Sequence, residues 1–241
     1  MKISRIIKNR KTYWYRFQYD LREELNKYFA PHRNKKLLNP SFTIISNNCW
    51  GGCVYRYLSL PYTSPTIGLY LFSDDFIKLV YNLKHYMESE LSFISYTQSK
   101  HRKSLEDTKT TTCPIGVIDD IEIVFLHYNS PEEAYEKWNK RKKRIIWDNI
   151  YYKMSEQNEC SLELMKKFDQ LPVSLSKKVQ IVTRDYGLES QIIFGPCIGK
   201  KEVIFDTFLL TKYINIVNFF NNKPYKRKQA GLISKSRQLP Q

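Results

Sequence analysis

The sequence predicts an α/β protein: an open, mostly parallel, Rossmann-like sheet with helices on both faces, extended by a basic segment at each end. Three observations carry this expectation. Short β-branched runs alternate with segments of helical period over residues 120–183, which implies parallel strands joined by right-handed crossovers. An earlier apolar run, Phe42–Ile45, leads through a glycine-containing turn into a helical pattern. The charge, +15 overall, is confined to the ends: +8 over residues 1–37, +6 over 223–241 and +1 between them. The expected organisation is a basic segment at 1–39, an α/β domain at 40–222 (divisible into 40–113 and 114–222) and a basic tail at 223–241.

Residues 1–37 begin as a basic amphipathic helix in which Tyr13, Tyr15, Phe17, Leu21, Leu25 and Phe29 are available to pack. Asn34–Pro40 reads as a linker. Phe42-Thr43-Ile44-Ile45 is a buried strand, ending at Ser46-Asn47-Asn48-Cys49-Trp50-Gly51-Gly52. From Cys53, the spacing of Val54, Tyr55 and Leu58 predicts a short helix. Pro61, Pro65 and Gly68 make 60–73 irregular. Ser73 caps a helix whose apolar face is Phe76, Ile77, Val80, Leu83 and Met87. Residues 99–113 are polar and aperiodic, and predict a mobile loop.

Ile121–Leu126 is the next strand, assigned to the parallel sheet. Ser130-Pro131-Glu132-Glu133 combines an N-cap, a proline at the first helical position and acids in the first turn, so a helix starts there and runs to about Arg144. Asn149–Met154 and Lys178–Thr183 complete the sheet, separated by a helix at Ser161–Leu171.

Composition excludes several classes of protein. No apolar run approaches the roughly 20 residues of a membrane-spanning helix, and Met1-Lys2-Ile3-Ser4-Arg5 does not open a secretory signal. The expected location is cytoplasmic, extending to the inner face of the membrane. Five scattered cysteines and four dispersed histidines lack zinc-site spacing. The near-neutral middle lacks the basic face of a nucleic-acid-binding domain. Basic ends instead suit a weak attraction to an anionic membrane, or are simply solvated.

In an open α/β sheet, ligands bind beyond the carboxyl ends of the strands, which directs attention to the residues that follow each predicted strand. Asn47, Asn48, Trp50, Gly51 and Gly52 lie between a strand and a helix, where amide N–H groups favour an anion; a tight turn needing glycine is the structural alternative. His127 follows a strand and is a candidate general base. On the helix that starts at Pro131, Trp138 and Arg141 share one side with Ala134 and Ile145, so the guanidinium needs an anionic partner, either a protein carboxylate or a substrate diphosphate. Arg144 joins it, and Asp148 is a second candidate base or a partner for these arginines. No Asp-x-Asp pair occurs, so the usual metal clamp of nucleotide-sugar transferases is absent from the sequence, and no metal or cofactor is expected. Cys49, with His127 as its base, is a candidate nucleophile for a different chemistry.

Several segments together resemble the bacterial domain-of-unknown-function family 1919. They are Ile44–Gly52, Leu60–Leu69, His127-Tyr128-x-Ser130, Glu132-Glu133-Ala134, Lys137-Trp138-x-x-Arg141, Arg144, Trp147-Asp148-Asn149 and Phe168-Asp169-x-Leu171-Pro172. The resemblance covers roughly residues 40–195. Members of this family are commonly labelled exopolysaccharide biosynthesis proteins; the resemblance implies an α/β fold and a capsule or exopolysaccharide setting, but no reaction. The expected function is a metal-independent glycosyltransferase that uses a nucleotide sugar and a lipid-linked or saccharide acceptor. The alternatives are an acyl- or other group transferase and a non-catalytic carbohydrate-binding component.

Overall fold

A computed structural model describes residues 10–226. In chain order the elements are α1 (Arg10–Asn34), β1 (Thr43–Ser46), α2 (Trp50–Leu58), β2 (Tyr70–Leu71), α3 (Ser73–Tyr81), α4 (Leu83–Glu88), β3 (Ser92–Ile94), α5 (Arg102–Thr108) and β4 (Ile115–Ile118). These are followed by β5 (Ile121–Val124), α6 (Pro131–Lys142), β6 (Ile150–Ser155), α7 (Leu162–Asp169), β7 (Lys178–Val182), β8 (Gln191–Ile193), α8 (Leu210–Tyr213) and α9 (Ile216–Phe220).

Four strands form a wholly parallel sheet in the order β1-β6-β7-β8. Strand side chains alternate between faces, and here both faces are buried. Ile44, Tyr151, Val179, Ile181 and Ile192 meet Trp50 and Val54 of α2 with Tyr213, Phe219 and Phe220 of the last two helices. Their neighbours Ile45, Tyr152 and Met154 point the other way, into a second cluster with Phe76, Phe125, Trp138 and Phe168. Burial on both sides explains the consecutive apolar pairs Ile44-Ile45, Tyr151-Tyr152 and Ile181-Val182, although β6 and β7 also bury Lys153, Lys178 and Gln180.

The protein is therefore mixed α/β with a four-stranded parallel sheet, but the expected sheet composition needs a correction. Ile121–Val124 does not join the parallel sheet. It belongs to a second, antiparallel sheet of order β2-β5-β4-β3. The cause is local: β4 and β5 are joined through Asp119 and Asp120 alone, with Asp119 at φ 50°, and a two-residue connection makes a hairpin, never a crossover. Both sheets take strands from either side of residue 113, so a division there cuts through each of them.

Other boundaries also moved. The helix expected from Phe76 through Met87 breaks at Asn82 into α3 and α4. Ser73 does not cap it by its side chain; that hydroxyl donates to the Gln157 carbonyl at 2.8 Å. Residues 99–113, expected as a mobile loop, contain α5, anchored by the fully buried Leu105. Residues 60–73 are irregular except for β2. Ser130 does cap α6, accepting from the Glu133 N–H at 3.2 Å. In α1, Tyr15 packs on the core, whereas Tyr13, Phe17, Leu21, Leu25 and Phe29 stay exposed. Of the expected basic tail, residues 227–241 lie outside the described residues, as do residues 1–9 of the N-terminal segment.

Candidate functional site

The segment after β1 is built into the scaffold. Asn47 spans to the neighbouring strand, its side-chain amide bonding the Ser155 backbone at 2.9 Å in both directions. The Trp50 N–H is taken by Asn48 Oδ1 at 3.1 Å, and the Gly51 N–H by Ser46 Oγ at 3.3 Å. Gly51 and Gly52 are helical and buried. A Cβ on Gly51 would lie 3.1 Å from Ser46 Oγ and 3.3 Å from the Ile44 side chain. This glycine therefore lets α2 approach β1 closely, which differs from the expected phosphate-facing turn. Trp50 is fully buried, its indole N–H donating to the Tyr213 hydroxyl at 2.8 Å.

Beneath this segment lies a charged cluster that sequence reasoning missed. Lys153, in the middle of β6, is 1% exposed and Asp206 2% exposed, so each charge depends on the other for solvation. The Lys153 ammonium donates to Asp206 Oδ2 at 2.5 Å and Asn48 Oδ1 at 3.0 Å, and also to Ser155 Oγ. Asp206 further accepts from Ser155 Oγ at 2.7 Å and from the Asn48 amide at 3.2 Å. Burial alone would raise the Asp206 carboxyl, but the Lys153 charge and these hydrogen bonds hold it below the usual carboxylate range. The signal was present in the sequence: a lysine within an apolar strand buried on both sides demands a carboxylate. Its identity, 53 residues away, was not.

Along the open side of β1, the loops bring two arginines and a histidine together. Leu71 N–H bonds the Asn47 carbonyl at 3.1 Å, which ties residues 66–71 alongside the end of β1. The chain leaving β5 then closes on this segment: the His127 N–H donates to the Gly68 carbonyl at 2.9 Å. Gly68 sits at φ +75°, and a Cβ there would come within 3.3 Å of Tyr128 and 3.4 Å of His127. Only glycine fits both the backbone and the contact. Arg141, from α6, donates to the Ile67 carbonyl at 3.0 Å and to the Tyr128 hydroxyl, with its guanidinium 5.5 Å from the Tyr62 ring centre. Arg56, from α2, borders the same Ile67 through Gly52, whose Cβ position is 3.5 Å from Ile67 and 4.0 Å from Arg56 Nη1.

The electrostatics of this patch are unequal. Arg56 is partly neutralised by Glu23, at 3.0 Å. Among the described residues, neither Arg141 nor Arg144 has a carboxylate within ion-pair distance; Arg144 reaches only the Tyr62 carbonyl, at 3.4 Å. The anticipated protein partner for Arg141 is thus a carbonyl and a phenol, and the nearest carboxylate that feels its charge, Glu133 of the same helix, makes no ion pair with it. His127 is exposed at its edge, yet partial burial, reinforced by the positive charge of Arg56, pushes its imidazole below the ordinary histidine value. The neutral, proton-accepting form is favoured.

The remaining candidates lie elsewhere. Trp138 is 1% exposed and packs edge-on against Phe125 in the core, with its indole N–H unpartnered. Asp148 is exposed at the amino end of β6, in a surface cavity lined by Ser41, Asn149, Lys177 and Phe220, away from the edge that holds His127. The Cys49 thiol faces the Leu69 carbonyl at 3.8 Å, and burial pushes it up to about 12, unlike an activated nucleophile. Among the described residues, no group of three His, Cys, Asp or Glu side chains is placed to hold a metal, and no helix is long and apolar enough to cross a membrane.

A family model described as a domain of unknown function, DUF1919, matches residues 21–228. An uncharacterized protein of Haemophilus influenzae strain Rd is 34% identical over 138 residues, 57% of this chain and 61% of that protein. The match thus spans less than two-thirds of the relative's own length. The family match takes in most of α1 and both sheets, and the chain belongs to the DUF1919 family.

Proposed function

We propose that this DUF1919 protein is a metal-independent glycosyltransferase of bacterial capsule or exopolysaccharide assembly, working in the cytoplasm on a nucleotide-sugar donor and a lipid-linked or saccharide acceptor. On this reading the parallel sheet is Rossmann-like, and the donor diphosphate lies over Arg141 and Arg56 beside its edge strand β1. The observation that carries the reading is the convergence of Arg141, which makes no ion pair, and His127 on consecutive carbonyls of one loop, Ile67 and Gly68.

His127 would take the proton from the acceptor hydroxyl as that oxygen bonds to the anomeric carbon. The bond from that carbon to the diphosphate oxygen breaks, and the nucleoside diphosphate leaves with its new charge against Arg141 and Arg56. Fixed cations aimed at charge that develops in the transition state take the place of a metal. Tyr62 and Tyr128, held beside Arg141, offer a ring face and a hydroxyl to a sugar. The high Cys49 thiol weighs against a thioester route, and the position of Asp148 weighs against its being the base.

The test is turnover on a panel of nucleotide sugars in the presence of chelator, with release of nucleoside diphosphate as the readout. The expected result is transfer or slow hydrolysis of one donor, abolished in Arg141→Ala. No release from any donor, with lipid-linked and soluble acceptors both supplied, would count against the proposal.

A further inference from the structure

The outer face of α1 has no partner in the fold. Trp14, Phe17, Leu21, Leu25 and Tyr28 recur at steps of three and four, so they form one stripe along the helix. Their exposure runs from 40% for Leu25 to 65% for Tyr28. The stripe is rigidly presented, because the opposite face is fixed to the domain. There Arg22 donates to the Phe208 carbonyl at 3.2 Å, Asn26 to the Arg56 carbonyl at 2.5 Å and Arg33 to the Tyr57 carbonyl at 2.8 Å, and Ala30 is buried.

The charges around the stripe select the partner. All three carboxylates of α1 are engaged: Asp20 with Arg16 at 3.9 Å, Glu24 with Lys27 at 2.5 Å and Glu23 with Arg56 at 3.0 Å. Beyond the ends of the stripe the sequence places Lys2, Arg5, Lys8, Arg10 and Lys11 on one side and Lys35 and Lys36 on the other, within a segment of net +8. Aromatic residues sit at both ends of the stripe and leucines at its centre. A second copy of the chain would bring one cationic segment against another, with +15 on each molecule. A surface that is apolar inside and anionic outside satisfies both the stripe and its flanks.

We propose that α1 is an interfacial helix that lies in the plane of an anionic lipid surface, with Trp14, Phe17, Leu21 and Tyr28 inserted at the headgroup–acyl boundary. The inference is independent of the transferase reading, since none of the side chains it inserts into the lipid belongs to the Arg141–His127 patch.

The experiment is flotation of the full chain with phosphatidylcholine vesicles, with and without phosphatidylglycerol, for wild type and for the triple variant Trp14→Ser/Phe17→Ser/Leu21→Ser. Circular dichroism and melting of the variant should match wild type, because the side chains removed are already solvated. Wild type should float with the phosphatidylglycerol vesicles only, less so as salt rises, and the variant should bind at least about tenfold more weakly. Equal binding by the variant would assign the attraction to charge alone and overturn the role of the helix face. Equal binding to both vesicle types would overturn the charge selection. A wild-type dimer in solution that the triple variant dissociates, with no flotation, would assign the stripe to a second copy and overturn the proposal.

Discussion

His127 is held neutral by two causes that can be separated. Burial lowers its proton affinity first and the Arg56 charge second. A base that is neutral above a depressed pKa loses activity only as pH falls through that value. The acid limb of kcat/KM is therefore expected below the ordinary histidine value of about 6.5. Arg56→Gln removes the charge and leaves the burial, so the limb should move upward towards that value; a limb unmoved by Arg56→Gln would separate His127 from the rate. His127→Gln should lower kcat by about 10²–10⁴-fold with little change in donor affinity, measured by steady-state kinetics with varied donor. His127 and Arg141 could be picked from the sequence by residue type and helical spacing. Arg56, Tyr62 and Tyr128 could not, because they join the patch through Ile67 and Gly68, a segment whose path depends on its attachment to β1.

Two elements carry buried or half-buried charge whose partners the sequence pattern does not reveal. In β6, Lys153 and Asp206 are each other's solvation. Removing one partner leaves a bare buried charge, which costs about 3–5 kcal/mol. Lys153→Met and Asp206→Leu should each destabilise by that order in chemical denaturation, while Lys153→Met/Asp206→Leu should cost well under the sum. Additive losses would mean the two side chains are not coupled. In the segment around α5, His101 lies between Asp75 at 2.9 Å and Glu159 at 3.1 Å, and stacks on Phe72 with ring centres 3.7 Å apart. Burial alone would lower this imidazole, but hydrogen bonds and charge from Asp75 and Glu159 raise it above the usual value. A raised folded pKa gives stability that is fully present below the unfolded value of about 6.5 and is lost as pH rises through the folded one. The melting-temperature gap between wild type and His101→Gln should thus be widest near pH 6 and narrow by pH 9. A gap that does not change with pH would remove charge from the account. Residues 99–113 looked mobile because their polar side chains lack period. Their order comes from Leu105 and from carboxylates supplied by α3 and by the loop after β6, contacts that no local pattern records.

For the molecule as a whole, three strands of the parallel sheet, β1, β6 and β7, were readable, whereas its fourth strand, β8, and the antiparallel sheet were not. Those three strands are rich in β-branched and aromatic residues, and a helix capped by Ser161 separates β6 from β7; each of those features is local. The second sheet depends on a two-residue turn, a two-residue strand and the pairing of β2 with β5 across 50 residues of chain, none of which stands out in composition. Ile121–Val124 lies in the other sheet, yet the loop after it brings His127 to Gly68, in the segment that runs along the open side of β1. Asp148 and Trp138 fared differently: one precedes its strand and so lies at the amino end of β6, and the other shares a helical side with Arg141 but is pulled wholly into the core.

What the two sheets and their loops are held to achieve is a cationic patch, made from α2, α6 and two loops, that accepts a diphosphate unaided by metal. Titration calorimetry of a set of nucleoside diphosphates and their sugars in chelator-containing buffer tests this with wild type, Arg141→Ala and Asp148→Asn. One ligand should bind the wild type and Asp148→Asn equally, and Arg141→Ala at least about tenfold more weakly, the loss of one charge-assisted contact. Absence of any heat across the set, or an affinity that Arg141→Ala leaves intact, would contradict the assignment of the patch.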